Sequence, residues 1–405
     1  MMKRDSKRES NQAALGPNAS ISLARLIAIF LKIGSIGFGG GVAVIALMER
    51  EFVEKRKLLP AHEFLHGVGL GQILGPFAVN TAFFVGYRRH GLLGGLASAA
   101  AFLATPVSLV IFLAFLYFRF HTIPALQNVL VGLGPIVIAL ILAAAWSMGR
   151  RTLASWPAVG LALAGAGAGA LKISAMWILL AAGLLGLAVG RERLGKKAPR
   201  KDAAPQDEES SQPKPFAAFG LPIPAGTAGA GIVSLVGLWL AFLKVGLVFF
   251  GGGFVLIPIL HQQLVEQFHW LSPQEFLDGV AISNLTPGPI AVLSTFAGYH
   301  LHGIPGALVA TVALFTPAIL LMAIISLGYE RLKDSTRAQD FLSGVAPTVV
   351  GLVVSSVFLL WHSAIPSWKA LLLAAAALFL LVRLKWPPAL VLAFGAATAI
   401  VGLVP

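Results

Sequence analysis

Two lysines in apolar surroundings are the residues of this sequence best placed to bind a charged ligand. Lys32 lies in the run FLKIGSIGFGGG at Phe30–Gly41, and Lys244 lies in FLKVGLVFFGGG at Phe242–Gly253. An unpaired ammonium at the centre of a membrane helix costs about 2.5–3.5 kcal/mol. Each lysine therefore needs a carboxylate partner or an anionic ligand. The alternative is that its side chain extends along apolar surface to the polar interface.

The glycines that follow each lysine can present backbone donors. They are Gly37, Gly39, Gly40 and Gly41 in the first run and Gly251, Gly252 and Gly253 in the second. Glycine lowers helix propensity and removes the side chain, so that backbone N–H groups can face a cavity. A helix that begins there points the positive end of its dipole at the cavity, which favours an anion. The alternative is close packing of helices on the glycines.

Amide and hydroxyl side chains surround a proline break in a second pair of apolar segments. In the first half of the chain these residues are Gln72, Gly75, Pro76, Asn80 and Thr81, and in the second half they are Ser283, Asn284, Thr286, Pro287, Gly288, Pro289, Ser294 and Thr295. Neutral donors of this kind can bind an oxyanion without a fixed charge. We therefore predict that both sets contribute to one anion site.

Two glutamates, Glu63 and Glu275, come near the start of these segments. They could pair with the lysines or carry a coupled proton. The alternative is an acidic residue at a helix amino terminus, where the helix dipole favours it. His66 and Asp278 occupy equivalent positions, and one such pair does not predict a metal site.

Composition places the chain in a lipid bilayer. It is 57% hydrophobic and 12% charged, with a mean hydropathy of +0.84, which is typical of a polytopic membrane protein. The net charge of +13 resides in short loops, so we predict no nucleic-acid partner. The chain has no cysteine. It also has no HExxH motif, nucleotide loop or nucleophile–base pair, so we predict neither an enzyme nor a cofactor.

The chain divides into two homologous halves, each with about six apolar segments, and the fold predicted for both is all-α. Residues 1–20 form a basic cytoplasmic tail, and residues 21–190 form the first transmembrane domain. Residues 191–230 form a polar linker with a candidate extra segment at Phe216–Ala230, and residues 231–405 form the second transmembrane domain.

An internal repeat with an offset of 212 residues relates the halves. Besides the glycine runs it pairs Glu54 with Glu266 and the glutamates at 63 and 275 with each other, and GPFAV at 75–79 matches GPIAV at 288–292 with one residue of slip. The first two segments of each half carry most of the similarity. Each of them has glycine or Gly-Pro at its middle, so we predict broken or re-entrant helices that meet partway through the membrane.

Loop charge gives the relative orientation of the halves. Arg50, Lys55, Arg56, Lys57, Arg88 and Arg89 follow the first two segments of half one, whereas the corresponding loops of half two contain no Lys or Arg. After the third segment the bias reverses. Because Lys and Arg mark the cytoplasmic side, the halves are predicted to be inverted, with the amino terminus and the linker cytoplasmic. The alternative is two parallel repeats. Because the linker is predicted to be cytoplasmic, inversion requires one additional membrane crossing or a segment that turns back without crossing.

The motifs together resemble the chromate ion transporter family in its two-domain form. Its FGG motif falls on Phe38–Gly40 and Phe250–Gly252, and its PGP motif falls on Pro287–Pro289; half one reads QILGPF at Gln72–Phe77 and lacks the first proline. The resemblance implies a bacterial inner-membrane protein that exports chromate, with sulfate as a close analogue, by using the membrane potential or a proton gradient. A transporter of sulfate or of a small organic acid is the alternative, and a homodimer is a further possibility.

Overall fold

The computed structural model describes residues 21–38, 40–73, 75–120, 124–189, 234–249, 253–327 and 336–400. The helices of half one are α1 (Leu23–Ile36), α2 (Gly40–Glu49), α3 (Ala61–Ile73), α4 (Phe77–Phe120), α5 (Pro124–Thr152), α6 (Trp156–Ala170) and α7 (Ala175–Val189). Those of half two are α8 (Leu235–Val248), α9 (Leu256–His261), α10 (Pro273–Leu285), α11 (Leu293–Leu327), α12 (Thr336–Ala364), α13 (Trp368–Val382) and α14 (Pro388–Ile400). These residues contain no strand, so the all-α prediction is confirmed.

The helix boundaries repeat more faithfully than the sequence does. Four pairs, α1 and α8, α3 and α10, α5 and α12, and α6 and α13, begin and end 212 residues apart. Short π-helical turns at Arg50–Lys55 and Gln262–Gln267 are related by the same offset. The repeat therefore extends over segments in which sequence similarity is weak.

The first segment of each half is a re-entrant hairpin. Helix α1 starts with the Ser22 side chain accepting a hydrogen bond from the Arg25 N–H, and it ends at Gly37. Gly37 lies against Val44 of α2, and farther from the turn Phe30 stacks on Phe52 with ring centroids 5.0 Å apart. These contacts make α1 and α2 antiparallel, so the chain enters and leaves at one face.

The second segment is a re-entrant hairpin as well. Gly71 lies against Phe77 and Thr81, while Gly67, one turn earlier in α3, lies against Phe84 of α4. The two helices are therefore antiparallel, with Gly75–Pro76 at their turn. In half two Gly279 packs on Phe296 in the same way.

Helix α4 then folds back sharply at His90–Gly91, where Gly91 has φ of 59°. Gly86 of its short first arm lies against Gly94 of its long second arm. The His90 imidazole lies 2.7 Å from the carbonyl oxygen of Ile21, which places the start of α1 and the fold of α4 at one face of the protein. We call this face A, and we call the opposite face B.

The long arm of α4 connects face A to the hairpins of half two. Phe118, near its end, lies 4.6 Å from the ring of His300, beside the matching fold of α11 at His302–Gly303. From Gly91 to Phe118 the helix rises by about 40 Å. The hairpins of half two therefore start at face B. This geometry confirms inverted repeats with re-entrant helices.

Among the described residues, four helices are long and apolar enough to cross a membrane: α4, α5, α11 and α12. Helices α5 and α12 are antiparallel, because Gly134 lies against Ala364 and Gly149 against Val350.

The shorter helices α6 and α7 form a third hairpin, which packs on α12 of the other half. Gly165 and Gly169 of α6 lie against Thr348 and Ser355, while Gly186 of α7 lies against Asp340. Helices α13 and α14 pack on α5 in the corresponding way. Each half thus completes the core of the other.

The connection between the halves remains a prediction. Helix α7 ends at face A and α8 begins at face B. The candidate extra segment Phe216–Ala230 and the tail at residues 1–20 lie outside the described residues.

Candidate anion site at the hairpin tips

The tips of the re-entrant hairpins meet in pairs that cross between the halves. The backbone N–H of Gly288 donates a hydrogen bond to the carbonyl oxygen of Gly37 at 3.0 Å. In the related pair, Gly75 lies directly against the carbonyl oxygen of Phe249. The glycine break of each half therefore packs on the Gly-Pro break of the other. We call these four breaks the tip cluster.

Glycine is required at two positions of the tip cluster. Gly75 and Gly288 have φ of 113° and 105°, a region that side chains rarely adopt. A Cβ at Gly288 would lie 2.9 Å from Pro106, and a Cβ at Gly75 would overlap the carbonyl of Phe249. The positive φ and the close contact with a neighbouring segment thus both require glycine at these two positions.

Helical segments begin side by side at the tip cluster. Gly41, at the start of α2, contacts the ring of Phe77, at the start of α4. Gly253 contacts Ile290, where a 3-10 turn leads into α11. The amino ends of the returning segments are therefore gathered at one place, which is electrostatically favourable for an anion.

Asn80 provides an available amide one turn into α4. Its side chain is fully buried, and neither its Nδ2 nor its Oδ1 atom has a hydrogen-bond partner. A buried amide without partners costs about 1–3 kcal/mol. The neighbouring Thr81 differs, because its hydroxyl donates to the Phe77 carbonyl at 2.7 Å.

Four of the predicted polar residues of half two bond to nearby backbone carbonyls, whereas the Thr295 hydroxyl lies 2.7 Å from that of Thr311. The Asn284 amide donates to the Val280 carbonyl at 2.9 Å, and the Thr286 hydroxyl donates to the Ser283 carbonyl at 3.0 Å. Ser283 and Ser294 do the same. In these rotamers each hydroxyl proton is already used.

The two predicted lysines lie beside the tip cluster in different surroundings. Lys32 is exposed on α1, about 7.5 Å along the helix from Gly37. Lys244 is half-buried and lines a cavity of about 520 Å³. The cavity extends from Val248, near the tip, to Gln267, near face B.

Of the roles considered for Glu63 and Glu275, pairing with the lysines is contradicted by the structure, and the alternative of an acid in the first turn of a helix fits both. Glu63 forms an ion pair with Arg88, and the Glu275 carboxylate accepts a hydrogen bond from the Ser272 N–H at 2.7 Å in a capping box. Hairpin geometry is the reason. Both glutamates lie at the face ends of their helices, whereas the lysines lie close to the tips.

Some predicted site residues, or their side chains, lie outside the part of the chain that the structure describes. Gly39, Gly251 and Gly252 lie outside the described residues, as do the side chains of Gln72 and His66. Gly40 begins α2. No group of three or more His, Asp or Glu side chains that could hold a metal ion occurs in the part of the chain that the structure describes.

Two further polar features were not predicted from the sequence. The Tyr117 hydroxyl donates to Asp278 at 2.8 Å, and the Gln274 amide donates to the same carboxylate at 2.9 Å. Lys172, in the turn between α6 and α7, lines the cavity of Lys244. The sequence did offer one indication of Lys172, because it is a lysine in a short turn between two apolar segments.

The model of the chromate transporter family matches residues 24–187 and 236–402. The chain belongs to the chromate transporter family. Each matched region runs from the first re-entrant hairpin of one half to its last two helices, so the family model matches both halves. The prediction of a membrane transporter, and not an enzyme, is confirmed.

Relatives of similar length support the family assignment. A probable chromate transport protein of Synechococcus elongatus is 30% identical over 97% of this chain and 99% of its own length. Chromate transport proteins of Cupriavidus metallidurans and Pseudomonas aeruginosa are 29% and 31% identical over 95% and 82% of this chain, which is 93% and 80% of their own lengths. No solved structure matches the chain significantly.

Proposed function

We propose that this protein exports chromate from the bacterial cytoplasm and binds the dianion at the tip cluster. The unpartnered, buried amide of Asn80 is the observation that carries the proposal. Its Nδ2 group offers a hydrogen-bond donor to an oxygen of the tetrahedral dianion. The gathered amino ends of the returning helices supply positive potential without a fixed charge.

Face A is proposed to be cytoplasmic. Arg50, Lys55, Arg56, Lys57 and Arg88 all belong to the hairpins of half one, which start at this face. Positively charged short loops remain on the cytoplasmic side. The cavity beside Lys244 then extends toward the outside. The protein resides in the inner membrane, with the tail at residues 1–20 and the polar linker that begins at residue 191 in the cytoplasm.

Transport follows from movement of one inverted repeat against the other. Each tip is held by a tip of the opposite half, so rocking at the contacts of Gly37 with Gly288 and of Gly75 with Phe249 exposes the cluster to one face at a time. The membrane potential favours the outward movement of a dianion, and a proton gradient is the second candidate driving force.

Labelled chromate uptake into vesicles with the purified full chain tests the proposal. We expect chromate flux that responds to an imposed potential or pH gradient and that sulfate inhibits, with protein-free vesicles as control. Sulfate flux without chromate flux would assign the alternative substrate. If neither ion moves under any gradient, the proposed function is wrong.

A further inference from the structure

The cavity on the face-B side of the tip cluster combines residues from both halves. Half one contributes the turn at Lys172–Ser174, and half two contributes α8 with Lys244 and the π-helical turn with Glu266. At about 520 Å³ it is within the usual size range of small-ligand sites, roughly 300–1,000 Å³. It is therefore large enough for a small anion with part of its water.

Half two holds the Lys172 turn firmly. The side-chain amide of Gln262 donates to the carbonyls of Lys172 and Ile173 at 3.0 and 3.1 Å and accepts from the N–H of Ala175 at 3.0 Å. Lys172 itself has φ of 59°, a strained conformation for a residue with a side chain. The three hydrogen bonds hold the backbone of this turn, from which the Lys172 side chain extends to line the cavity.

The charges around the cavity leave an excess of one positive charge. The Lys172 ammonium lies 3.3 Å from the Glu266 carboxylate, and no ion pair of Lys244 is recorded among the described residues. The buried ring of His261 lies 4.0 Å from the same carboxylate oxygen. The amides of Gln263 and Gln267 provide neutral donors.

Half one cannot offer the same surroundings. The positions that correspond to Gln262 and Gln263 are Arg50 and Glu51. A hydrogen bond from Lys55 to Glu51, at 3.0 Å, lowers the pKa of that carboxyl. A carboxylate that is already paired thus stands in half one where half two has the amide of Gln263, so the two sides differ in charge.

We propose that this cavity is a second anion site, in which Lys172 and Lys244 hold a tetrahedral dianion between the tip cluster and face B. Glu266 acts as an internal anion that the ligand displaces from Lys172. The proposal rests on the transport function proposed above, and it assigns a binding role to the third hairpin.

Binding of labelled chromate to the purified full chain, measured by equilibrium dialysis, tests the second site. We expect two bound dianions per chain. Lys172→Gln should weaken one of them about tenfold, because one charge-assisted contact is lost. Glu266→Gln should strengthen the same site, because the competing carboxylate is neutralised. A variant that merely disturbs folding does not produce this opposite change.

Lys369→Gln is the charge-matched control, because Lys369 is an exposed lysine of α13 that does not line the cavity. Its binding should equal that of the unmodified chain. A single bound dianion, or affinities that both Lys172→Gln and Glu266→Gln leave unchanged, would overturn the second site. The vesicle assay would still test chromate transport independently, so failure of the second site is distinguishable from failure of the proposed function.

Discussion

At the scale of single residues, Asn80 carries the asymmetry of the tip cluster. Its counterpart in half two, one residue beyond the 212-residue offset because of the slip at the Gly-Pro motif, is Leu293. One repeat thus keeps an apolar side chain where the other buries an amide without partners. Stability alone does not explain such an amide, since leucine fits the related position.

We predict that Asn80→Leu separates stability from transport. Removal of the unpaired amide should leave the free energy of unfolding unchanged or raise it by about 1–3 kcal/mol. Chromate affinity should fall roughly 10- to 100-fold, because a hydrogen bond to a charged ligand contributes about 1.5–3 kcal/mol. Thermal unfolding and vesicle uptake of the same preparation check both effects. Normal uptake in this variant would remove Asn80 from the site.

Gly288→Ala should damage the tip cluster directly. The added Cβ meets Pro106 at 2.9 Å, and the backbone has φ of 105°, so we expect a loss of about 1–3 kcal/mol together with loss of uptake. Gly167→Ala is the matched control, since a Cβ there has no atom within 4 Å. Equal melting temperatures and uptake for the two variants would show that the tip contact tolerates a side chain.

At the scale of elements, repeated glycines in the middle of apolar segments were sufficient to predict the first two hairpins. The third hairpin could not be predicted in this way. Its turn contains no glycine or proline between Leu171 and Ser174, although Lys172 adopts positive φ there and Gln262 of the other half bonds to the turn. Contacts across the repeats have no signal in local sequence. The lysine pairing considered for Glu63 and Glu275 fails for a different reason, because both glutamates lie at the face ends of their helices and the lysines lie close to the tips.

Packing of the third hairpin on α12 should depend on Gly351, which lies against the carbonyl of Ala162 in α6. Gly351→Val would push the helices apart, and we expect destabilisation by about 1–3 kcal/mol. Gly160→Val, at a position of α6 with no atom near the added Cβ, is the control. Thermal unfolding in detergent measures the difference. Its absence would mean that α6 is not packed tightly on α12 in solution.

At the scale of the whole molecule, inversion could be predicted from the loop charges, and the contact of Phe118 with His300 shows it geometrically. The exchange of third hairpins between the halves was beyond sequence reasoning. It depends on which faces of α5 and α12 remain uncovered once the re-entrant hairpins are in place, and hydrophobic periodicity does not distinguish helix neighbours in an apolar chain.

Opposite orientation of the halves predicts opposite labelling of equivalent positions. The chain has no native cysteine, so thiol reagents label only a cysteine that is introduced by mutation. Lys55→Cys should react with impermeant thiol reagents only from the cytoplasmic side, and Gln267→Cys, its equivalent 212 residues later, only from outside. Reaction of both from one side would contradict the inverted arrangement.

The crossed contacts at the tips have a consequence for the ancestry of the chain. Because each glycine break packs on the Gly-Pro break of the opposite half, neither half can form the tip contacts alone. Two identical half-length chains inserted in opposite directions would make the same contacts twice. Two copies within one chain are free to differ, and the amide at Asn80 with no equivalent in half two is a specialisation that a symmetric pair of identical subunits could not acquire.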